Sequence, residues 1–411
     1  MEPSQPNFNN LWNDANYIPH FQPIVDAANR KILGYEVLGR LYLPSEKQIT
    51  SLGPYFHNKS FNLSQKAQVD RIIREKAILY LKTSGVKTKL FFNFIPNVLS
   101  SIHQDELLDP NRFHLIQLIE KYEIDRENIV IEITEDEFSG KIERLLAMVE
   151  IFRNYGFKIA IDDMGAGFSN LERIGYIHPD IIKVDIRIMK ESLNRNSFRQ
   201  VLSAISEMSL KLGSELLFEG IENEKELTLA LSMGANLLQG FYFSKATSEF
   251  QNKSYFSDDL SIILEKFSGI RFLELIENCQ RQESIIKILR QAFSECYSFQ
   301  AKLPTLLPKI PQILSQLPED VFELFVADLH GYQVSPTYTR HRSKGWQESS
   351  RDTGNNYAWK PYFMKHKANT YYFDKNWNVT DPLYDISLEL QYVIFTFNLT
   401  KNLIFITKVK W

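Results

Sequence analysis

The chain has 411 residues, of which 44% are hydrophobic and 24% are charged, and its formal net charge is -3. The length favours two folded domains over one, and the composition is typical of a globular protein in water. The slightly acidic balance argues against a nucleic-acid polymer or an anionic membrane as partner, and no apolar run approaches the roughly 20 residues of a membrane-spanning helix.

The cysteines and the amino terminus point to the compartment. Cys279 and Cys296 have the spacing of neither a disulfide framework nor a metal site, and the opening MEPSQPNFNNLW lacks the basic start and apolar core of a signal peptide. A reducing environment is the simpler interpretation, so we expect a cytoplasmic protein.

Short apolar strands alternate with amphipathic helices between about residues 17 and 250. The predicted strands are YIPHFQPIVD, ILGYEVLGRLY, KLFFNF, NIVIEITE, KIAIDD, IIKVDI, ELLFEGIE and LLQGFYF. Helical spacing appears between several of them, for example in KIERLLAMVEIFRNYG. This alternation indicates a parallel α/β fold, and about eight strands suit a (β/α)8 TIM-type barrel, although the pattern leaves an open doubly wound sheet possible.

The pattern changes after residue 256. Residues 257–302 have helical spacing over most of their length, as one long helix or two. A Pro-spaced connector, LPTLLPKIPQILSQLP, leads to aromatic-rich segments that we interpret as β-rich: VFELFVADLHGY, YAWKPYF, YYFD, LQYVIFTFN and NLIFITKVKW. We therefore predict an α/β domain over residues 1–256, a helical linker over 257–302, and an α+β domain over 303–411.

Polar residues concentrate near the carboxyl ends of the predicted strands, which form the active-site face of a barrel. They are Glu36, Asn93, Glu132, Asp162, Asp163, Asp185 and Glu219, with Lys183 as the one cation. Oxygen-rich sets of this kind suit hard divalent cations such as Mg2+ or Mn2+. Two such ions would clamp a phosphoryl group and make a water nucleophilic, and Lys183 would orient that water or support the developing charge.

Each of these residues alone has a simpler explanation. A single carboxylate at a strand end is more often a turn residue or half of an ion pair, and DDMG is an ordinary turn signal. GAGFSN lacks the third glycine and the later acidic partner of a dinucleotide-binding loop. Compatible residues at corresponding ends of successive strands favour function for the set.

The motifs resemble those of the EAL family, bacterial phosphodiesterases specific for cyclic di-GMP. GYEVLGR contains the family triplet with valine in place of alanine, and FQPIVD, IEITE, IDDMGAGFSNL, KVD, FEGIE and QGFYFSK follow in family order. The resemblance covers about residues 17–250. The arrangement of the whole chain is similar to family members that carry a PAS/Cache-like sensor domain after the EAL domain and form dimers, although the carboxyl-terminal similarity depends mainly on WKPYF and the strand pattern.

The resemblance implies a role for each matching residue. Glu36, Asn93, Glu132 and Asp162 are expected to bind a first metal ion, and Asp162, Asp163 and Asp185 a second. Lys183 and Glu219 resemble the residues that position the attacking water, and Glu135 resembles the glutamate that holds the DDMGAGFSN loop. The implied substrate contacts are Gln22, Leu38, Arg40, Gln239 and the further active-face residues Asp163 and Glu222. Departures from the family are Val37, Met164 and Ile95, none of which removes a metal ligand.

Two functions follow from this resemblance. The first is metal-dependent hydrolysis of cyclic di-GMP to linear pGpG, and the alternative is a receptor that binds the dinucleotide without turnover. A scaffold with neither property leaves the clustered acids unexplained. Retention of the metal-binding set favours the enzyme.

The carboxyl-terminal half gives fewer signals. Six aromatic residues are candidates for a small-ligand pocket, with a place in the core as the commoner alternative: Trp359, Tyr362, Phe363, Tyr371, Tyr372 and Phe373. His330, His341 and His366 lack metal-ligand spacing, so we expect them at the surface or hydrogen-bonded. The helix at 258–298 carries more apolar residues than an isolated connector needs, which predicts a homodimer in which this half regulates the barrel, unless the helix only closes the barrel base.

Overall fold

A computed structural model describes residues 16–44, 46–58, 61–94, 109–134, 142–164, 171–294, 303–341, 343–385 and 387–411. The chain divides into two compact units, Met1–Phe267 and Ser268–Trp411. In the described ranges, no helix has the length and apolar character needed to cross a membrane.

The first unit contains nine strands and eight α-helices among its described residues. The strands are β1 Tyr17–Asp26, β2 Lys31–Leu43, β3 Gln48–Ser51, β4 Lys89–Phe94, β5 Ile129–Thr134, β6 Lys158–Met164, β7 Ile181–Val184, β8 Glu215–Phe218 and β9 Leu237–Leu238. The helices are α1 Gly53–His57, α2 Leu63–Ser84, α3 His114–Lys121, α4 Ile142–Tyr155, α5 Leu171–Ile177, α6 Ile186–Asn194, α7 Asn196–Leu212 and α8 Glu224–Ser232.

Eight of these strands close into a barrel. The order is β1-β9-β8-β7-β6-β5-β4-β2, and β1 also pairs with β2, which joins the two ends of the sheet. Strand β1 runs antiparallel to both neighbours, while the other adjacent pairs are parallel. The predicted TIM-type barrel is confirmed, and an open doubly wound sheet is wrong for this chain.

The helices pack their apolar faces on the outside of the barrel. Helix α2 shows how the sequence sets its bounds: Asn62 and Gln65 form a reciprocal capping box at its start, and Gly85 takes a left-handed conformation just after its end. Its buried face includes Val69, Ile73 and Ile78, which belong to the core shared by strands and helices.

One long helix, α9 Ser257–Ala292, begins in the first unit and continues into the second. Near its start Leu260 joins the core around the barrel, and near its end Ile286 and Leu289 join the core of the second unit. The prediction of helical residues here is confirmed as a single helix, while residues 295–302 lie outside the described ranges.

The second unit is built on an antiparallel sheet. Its remaining elements are α10 Leu303–Leu306, α11 Ile310–Leu314, α12 Pro361–Phe373, β10 Val321–Asp328, β11 Thr337–His341, β12 Gly345–Ser349, β13 Trp377–Val379, β14 Leu383–Asp385, β15 Leu390–Thr400 and β16 Leu403–Lys410. The strand order is β12-β11-β10-β16-β15-β13, with β14 paired to β15. The predicted sheet-rich α+β class is confirmed.

Two of the predicted β-rich segments are wrong, because helix α12 begins within YAWKPYF, at Pro361, and ends within YYFD, at Phe373. Pro361 occupies the first turn, where its fixed φ suits a helix, and Phe363 and His366 are buried on one face. Phe363 is a core residue, which agrees with the alternative to a ligand pocket that the sequence analysis gave. Trp359, Tyr371, Tyr372 and Phe373 are instead strongly exposed.

Candidate active site

Polar side chains form a layer directly above an apolar plug in the barrel interior. The plug has one buried residue from each of seven strands: Ile24, Phe91, Val130, Ala160, Ile181, Leu217 and Leu237. Because side chains alternate along a strand, the residue two positions nearer the carboxyl-terminal mouth points into the same interior. For the six parallel strands this residue is Asn93, Glu132, Asp162, Lys183, Glu219 or Gln239, of which the last two lie one residue past the ends of β8 and β9, and on the antiparallel β1 it is Gln22. With Glu36, the register partner of Gln22 on β2, these residues make up the polar layer.

Lys183 joins three carboxylates at the centre of the polar layer. Its Nζ lies 2.7 Å from Glu132 Oε1, 2.6 Å from Glu219 Oε1 and 3.1 Å from Asp162 Oδ1. Burial by itself lowers the pKa of Lys183, but the attraction of Asp162, Glu132 and Glu219 outweighs it and raises that pKa well above its ordinary value. Lys183 is therefore positively charged at neutral pH.

The carboxylates around Lys183 exceed its charge. Burial raises the pKa of Glu132 and of Glu219, and nearby acids add to the effect while Lys183 opposes it. Three carboxyl groups share one ammonium in a buried space, so ionisation of all three would leave the centre with an excess of negative charge. A bound cation would relieve that excess.

Glu36 is held by two amides from different strands. Asn93 Nδ2 donates to Glu36 Oε1 at 3.0 Å, and Gln239 Nε2 donates to Glu36 Oε2 at 2.6 Å. Gln239 is followed by Gly240, where an added Cβ would lie 2.1 Å from the backbone oxygen of Ile221. Close backbone packing therefore fixes the segment that positions Gln239.

The donor set fits a hard divalent cation in its chemistry. Glu36, Asn93, Glu132 and Asp162 supply only oxygen atoms once the Asn93 amide nitrogen is bound to Glu36. Glu132 is fully buried, and its Oε2 has no hydrogen-bond partner. Among the described residues, no three His, Cys, Asp or Glu already surround a point at which a metal ion would fit, and the Lys183 ammonium lies among the acids instead.

The adjacent aspartates line one cavity although they are consecutive in sequence. The pairing of β6 with β7 is interrupted between Ile161 and Met164, and Asp163 has a left-handed φ of 60°. Burial, together with the charges of Asp162 and Asp185, raises the pKa of Asp163 to about 6. The bulge therefore lets Asp162 and Asp163 reach the same cavity.

Asp185 has a different environment. It caps helix α6, and its Oδ1 accepts from the backbone nitrogen of Arg187 at 2.6 Å. The Arg187 side chain donates through Nε to Oδ1 at 3.0 Å and through Nη2 to Oδ2 at 3.4 Å. Both oxygens of this expected metal ligand are therefore engaged by Arg187.

A cavity of about 400 Å³ opens beside the polar layer. Leu38, Arg40, Asn93, Asp162 and Asp163 line it, as expected for site residues, and helix α2 supplies a further wall that sequence reasoning missed: Lys66, Asp70, Ile73 and Arg74.

Arg74 belongs to the site because it holds the end of strand β4. Its Nη2 donates to the backbone oxygen of Asn93 at 2.8 Å and lies 2.6 Å from Asp70 Oδ2. It is only 8% exposed. The feature of the sequence that could have revealed it is an arginine between Ile73 and Ala77 on the apolar face of α2. A buried charge normally needs partners, which here include the end of β4.

Three of the expected substrate contacts, Gln22, Arg40 and Glu222, bond to groups outside the Lys183 centre. Gln22 Nε2 reaches the backbone oxygen of Ser244 at 3.5 Å, and Arg40 Nη1 donates to the oxygen of Gly39 at 3.0 Å. Glu222 pairs with Lys190 at 3.1 Å, toward solvent. Glu135, Ile95 and the loop at 165–170 lie outside the described residues.

Comparison with known proteins places this geometry in a family. The family described as EAL domain matches residues 8–246. The uncharacterized EAL-domain containing protein YkuI of Bacillus subtilis is 30% identical over 360 residues, covering 87% of this chain and 85% of YkuI. A crystal structure of YkuI in complex with cyclic di-GMP and calcium matches with a TM-score of 0.87 at 27% identity, over 98% of each chain.

Two further relatives match only part of this chain. The probable cyclic di-GMP phosphodiesterase PdeA of Escherichia coli is 28% identical over 186 residues. The match covers 45% of this chain and 25% of PdeA. A standalone EAL protein of Vibrio cholerae, solved with cyclic di-GMP bound, matches with a TM-score of 0.51 and covers 59% of this chain.

Proposed function

Because this chain belongs to the EAL-domain family, we propose that it hydrolyses one phosphodiester bond of cyclic di-GMP to give linear pGpG. The observation that carries the proposal is the group in which Lys183 contacts Glu132, Asp162 and Glu219 in the interior of the barrel. The supporting comparison is the fold shared with YkuI, whose crystals contain cyclic di-GMP and calcium.

In this proposal Glu36, Asn93, Glu132 and Asp162 hold one divalent ion, Mg2+ or Mn2+. Asp162, Asp163 and Asp185 hold a second. When bound, the ions neutralise charge on the phosphoryl group and lower the pKa of a water molecule.

The chain's own residues handle the proton and the developing charge. Lys183 fixes Glu219 through the 2.6 Å contact, so the Glu219 carboxylate is held ready to orient the water and accept its proton. The Lys183 ammonium stays buried and charged, and it stabilises negative charge as it develops on the phosphoryl oxygens. Glu135 is proposed, on the resemblance alone, to hold the loop after Met164.

The cavity beside the polar layer is the proposed substrate site. Arg40, on its wall, supplies a guanidinium suited to a phosphate, and Leu38 supplies apolar contact. Gln22, Gln239 and Glu222 are proposed as further contacts. A cavity of about 400 Å³ is of the size that small-molecule sites generally have.

The direct experiment incubates the purified chain with cyclic di-GMP and either Mg2+ or Mn2+, and measures pGpG by chromatography. Accumulation of pGpG that chelation with EDTA abolishes is the expected result. Binding of cyclic di-GMP without pGpG would establish the alternative, a receptor that signals without turnover.

We also propose that the chain forms a homodimer and that its second unit regulates the barrel. Helix α9 exposes Phe272, Leu275 and Ile276, which fall on one side of the helix at i, i+3 and i+4. Contiguous apolar side chains on a helix surface are typical of an interface. The exposed aromatic residues Tyr371, Tyr372 and Phe373 are proposed as part of a contact or small-ligand surface.

A further inference from the structure

Arg187 contacts both carboxylate oxygens of Asp185. One backbone and two side-chain nitrogens of Arg187 donate to the two carboxylate oxygens, at 2.6, 3.0 and 3.4 Å. The Asp185 side chain is only 10% exposed, whereas that of Arg187 is 66% exposed. A buried acid is therefore matched with a cation that lies mainly in solvent.

The contrast with Lys183 shows why this exposure matters. Lys183 is enclosed by its carboxylates, so its removal would leave Glu132 and Glu219 without their cation. The Arg187 side chain lies mostly in solvent, so water can hydrate its guanidinium when a divalent ion takes its place on Asp185. Asp185 would continue to cap helix α6 after such a movement, because it accepts from the backbone N–H of Arg187.

Arg187 also acts on the second acid of the pair. Its charge interacts with Asp163, which otherwise faces the charges of Asp162 and Asp185. The Arg187 charge therefore acts mainly on Asp185, which it contacts, and only weakly on Asp163.

We propose that Arg187 is a displaceable internal cation that competes with the second divalent ion for Asp185. The inference depends on the proposed function, since it concerns the same metal-binding residues. Its consequence is that the second ion binds more weakly than it would to Asp163 and Asp185 without the arginine. Occupancy of the second position then varies with the concentration of divalent ions, while the first position stays filled.

Arg187→Gln tests the competition, because it removes the charge and keeps the backbone cap. Arg195→Gln is a matched control. Arg195 follows the same helix, pairs with Glu191 at 3.3 Å and is 65% exposed, so the control removes an equally exposed arginine from another acid. The full-length proteins, stripped with EDTA, are titrated with MnCl2, and free Mn2+ is counted by electron paramagnetic resonance without substrate.

We expect two binding events in the wild type, with the weaker one tightened about two- to fivefold in Arg187→Gln, the size that one partly exposed ion pair represents. Arg195→Gln should bind as the wild type does, and thermal melting in EDTA should show that all three proteins are folded. Equal isotherms for the wild type and Arg187→Gln overturn the inference, as does an equal tightening in Arg195→Gln. If no variant binds Mn2+, the metal-dependent function fails together with the inference, whereas pGpG formation with equal isotherms removes the inference alone.

Discussion

Lys183 Nζ lies 2.7 Å from Glu132 Oε1, and neither side chain is exposed to solvent by more than 1%. Lys183 lies on β7, two residues after the plug residue Ile181. Glu132 lies two residues after the plug residue Val130 on β5, and one strand, β6, separates β5 from β7 in the sheet. Their contact crosses the barrel interior and fixes a positive charge where the proposed reaction develops a negative one.

Replacing Lys183 with methionine removes that charge and keeps the length of the side chain. We expect kcat to fall about a hundredfold to a thousandfold, because a fixed electrostatic donor is lost from a buried site. Steady-state formation of pGpG measures the effect, and Mn2+ binding should persist. Lys158→Met is the control, since Lys158 pairs with Glu215 at the opposite end of the barrel. Wild-type turnover in Lys183→Met would remove Lys183 from the mechanism.

Asp162→Asn weakens the site at the residue proposed to serve both ions. The expected result is loss of at least about a hundredfold in turnover, together with weaker Mn2+ binding, because an amide is a poorer ligand than a carboxylate. Turnover and metal titration are measured on the same preparation. Glu215→Gln, at the amino-terminal end of β8, should remain active. Near wild-type activity in Asp162→Asn contradicts the assignment.

Gly240→Ala tests how the chain positions Gln239. The added Cβ would lie 2.1 Å from the oxygen and 2.2 Å from the nitrogen of Ile221, so the backbone must move. We expect the free energy of unfolding to fall by about 1–3 kcal/mol and KM for cyclic di-GMP to rise, as Gln239 leaves Glu36. Gly269→Ala has nothing within 4 Å of its Cβ and should be neutral or stabilising. Unchanged melting and KM in Gly240→Ala would show that the segment tolerates the shift.

His366 gives the second unit a pH-dependent stability. Burial lowers the pKa of this histidine, while its hydrogen bond to Asn398 opposes the shift. The unfolded chain therefore binds a proton at a higher pH than the folded chain, and stability is lost as pH falls from about 6.5 toward the lower folded pKa. Urea unfolding of the full chain between pH 7.5 and 5 should show a steeper loss for the wild type than for His366→Gln. Parallel profiles would exclude His366 as the cause, and His330→Gln, at an exposed position, controls for loss of a histidine.

Leu275→Glu tests the proposed dimer. Leu275 is 51% exposed on helix α9, and a carboxylate there would be costly to bury between two subunits. We expect sedimentation velocity to show a dimer for the wild type and a shift toward monomer for the variant. Leu210→Glu, on an 81% exposed leucine of helix α7, should sediment as the wild type does. A dimer unaffected by Leu275→Glu would place the interface elsewhere.

The sequence predicted the barrel strands well, because their apolar runs are short, rich in β-branched residues and separated by helical spacing. The concentration of polar residues at the strand ends also indicated that Glu132, Asp162 and Glu219 lie near one another, and Lys183 contacts all three. Helix α12 was missed, since aromatic residues favour strands by propensity while packing of Phe363 and His366 against the sheet decides for a helix.

The roles of the two arginines of the site, Arg74 and Arg187, could not be predicted from the sequence either. Arg74 acts through the backbone of Asn93, and Arg187 acts on an acid only two residues away whose burial depends on the whole barrel. Neither carries a motif, because the partner of a charged side chain is set by tertiary structure. The bulge at Asp162 and Asp163 likewise depends on the pairing of β6 with β7.

The closure of the barrel has a consequence for how the protein folds. Strands β1 and β9 meet through only two register pairs, Val25 with Leu238 and Asp26 with Leu237, and the Gln239–Glu36 hydrogen bond spans 203 positions of the chain. Contacts so distant in sequence form late, because the entropy of closing a long loop must be overcome first. We therefore expect this seam to close last during refolding and to open first in native-state hydrogen exchange. Competence to bind a metal through Glu36 would then appear only in the final kinetic phase, after most of the secondary structure has formed.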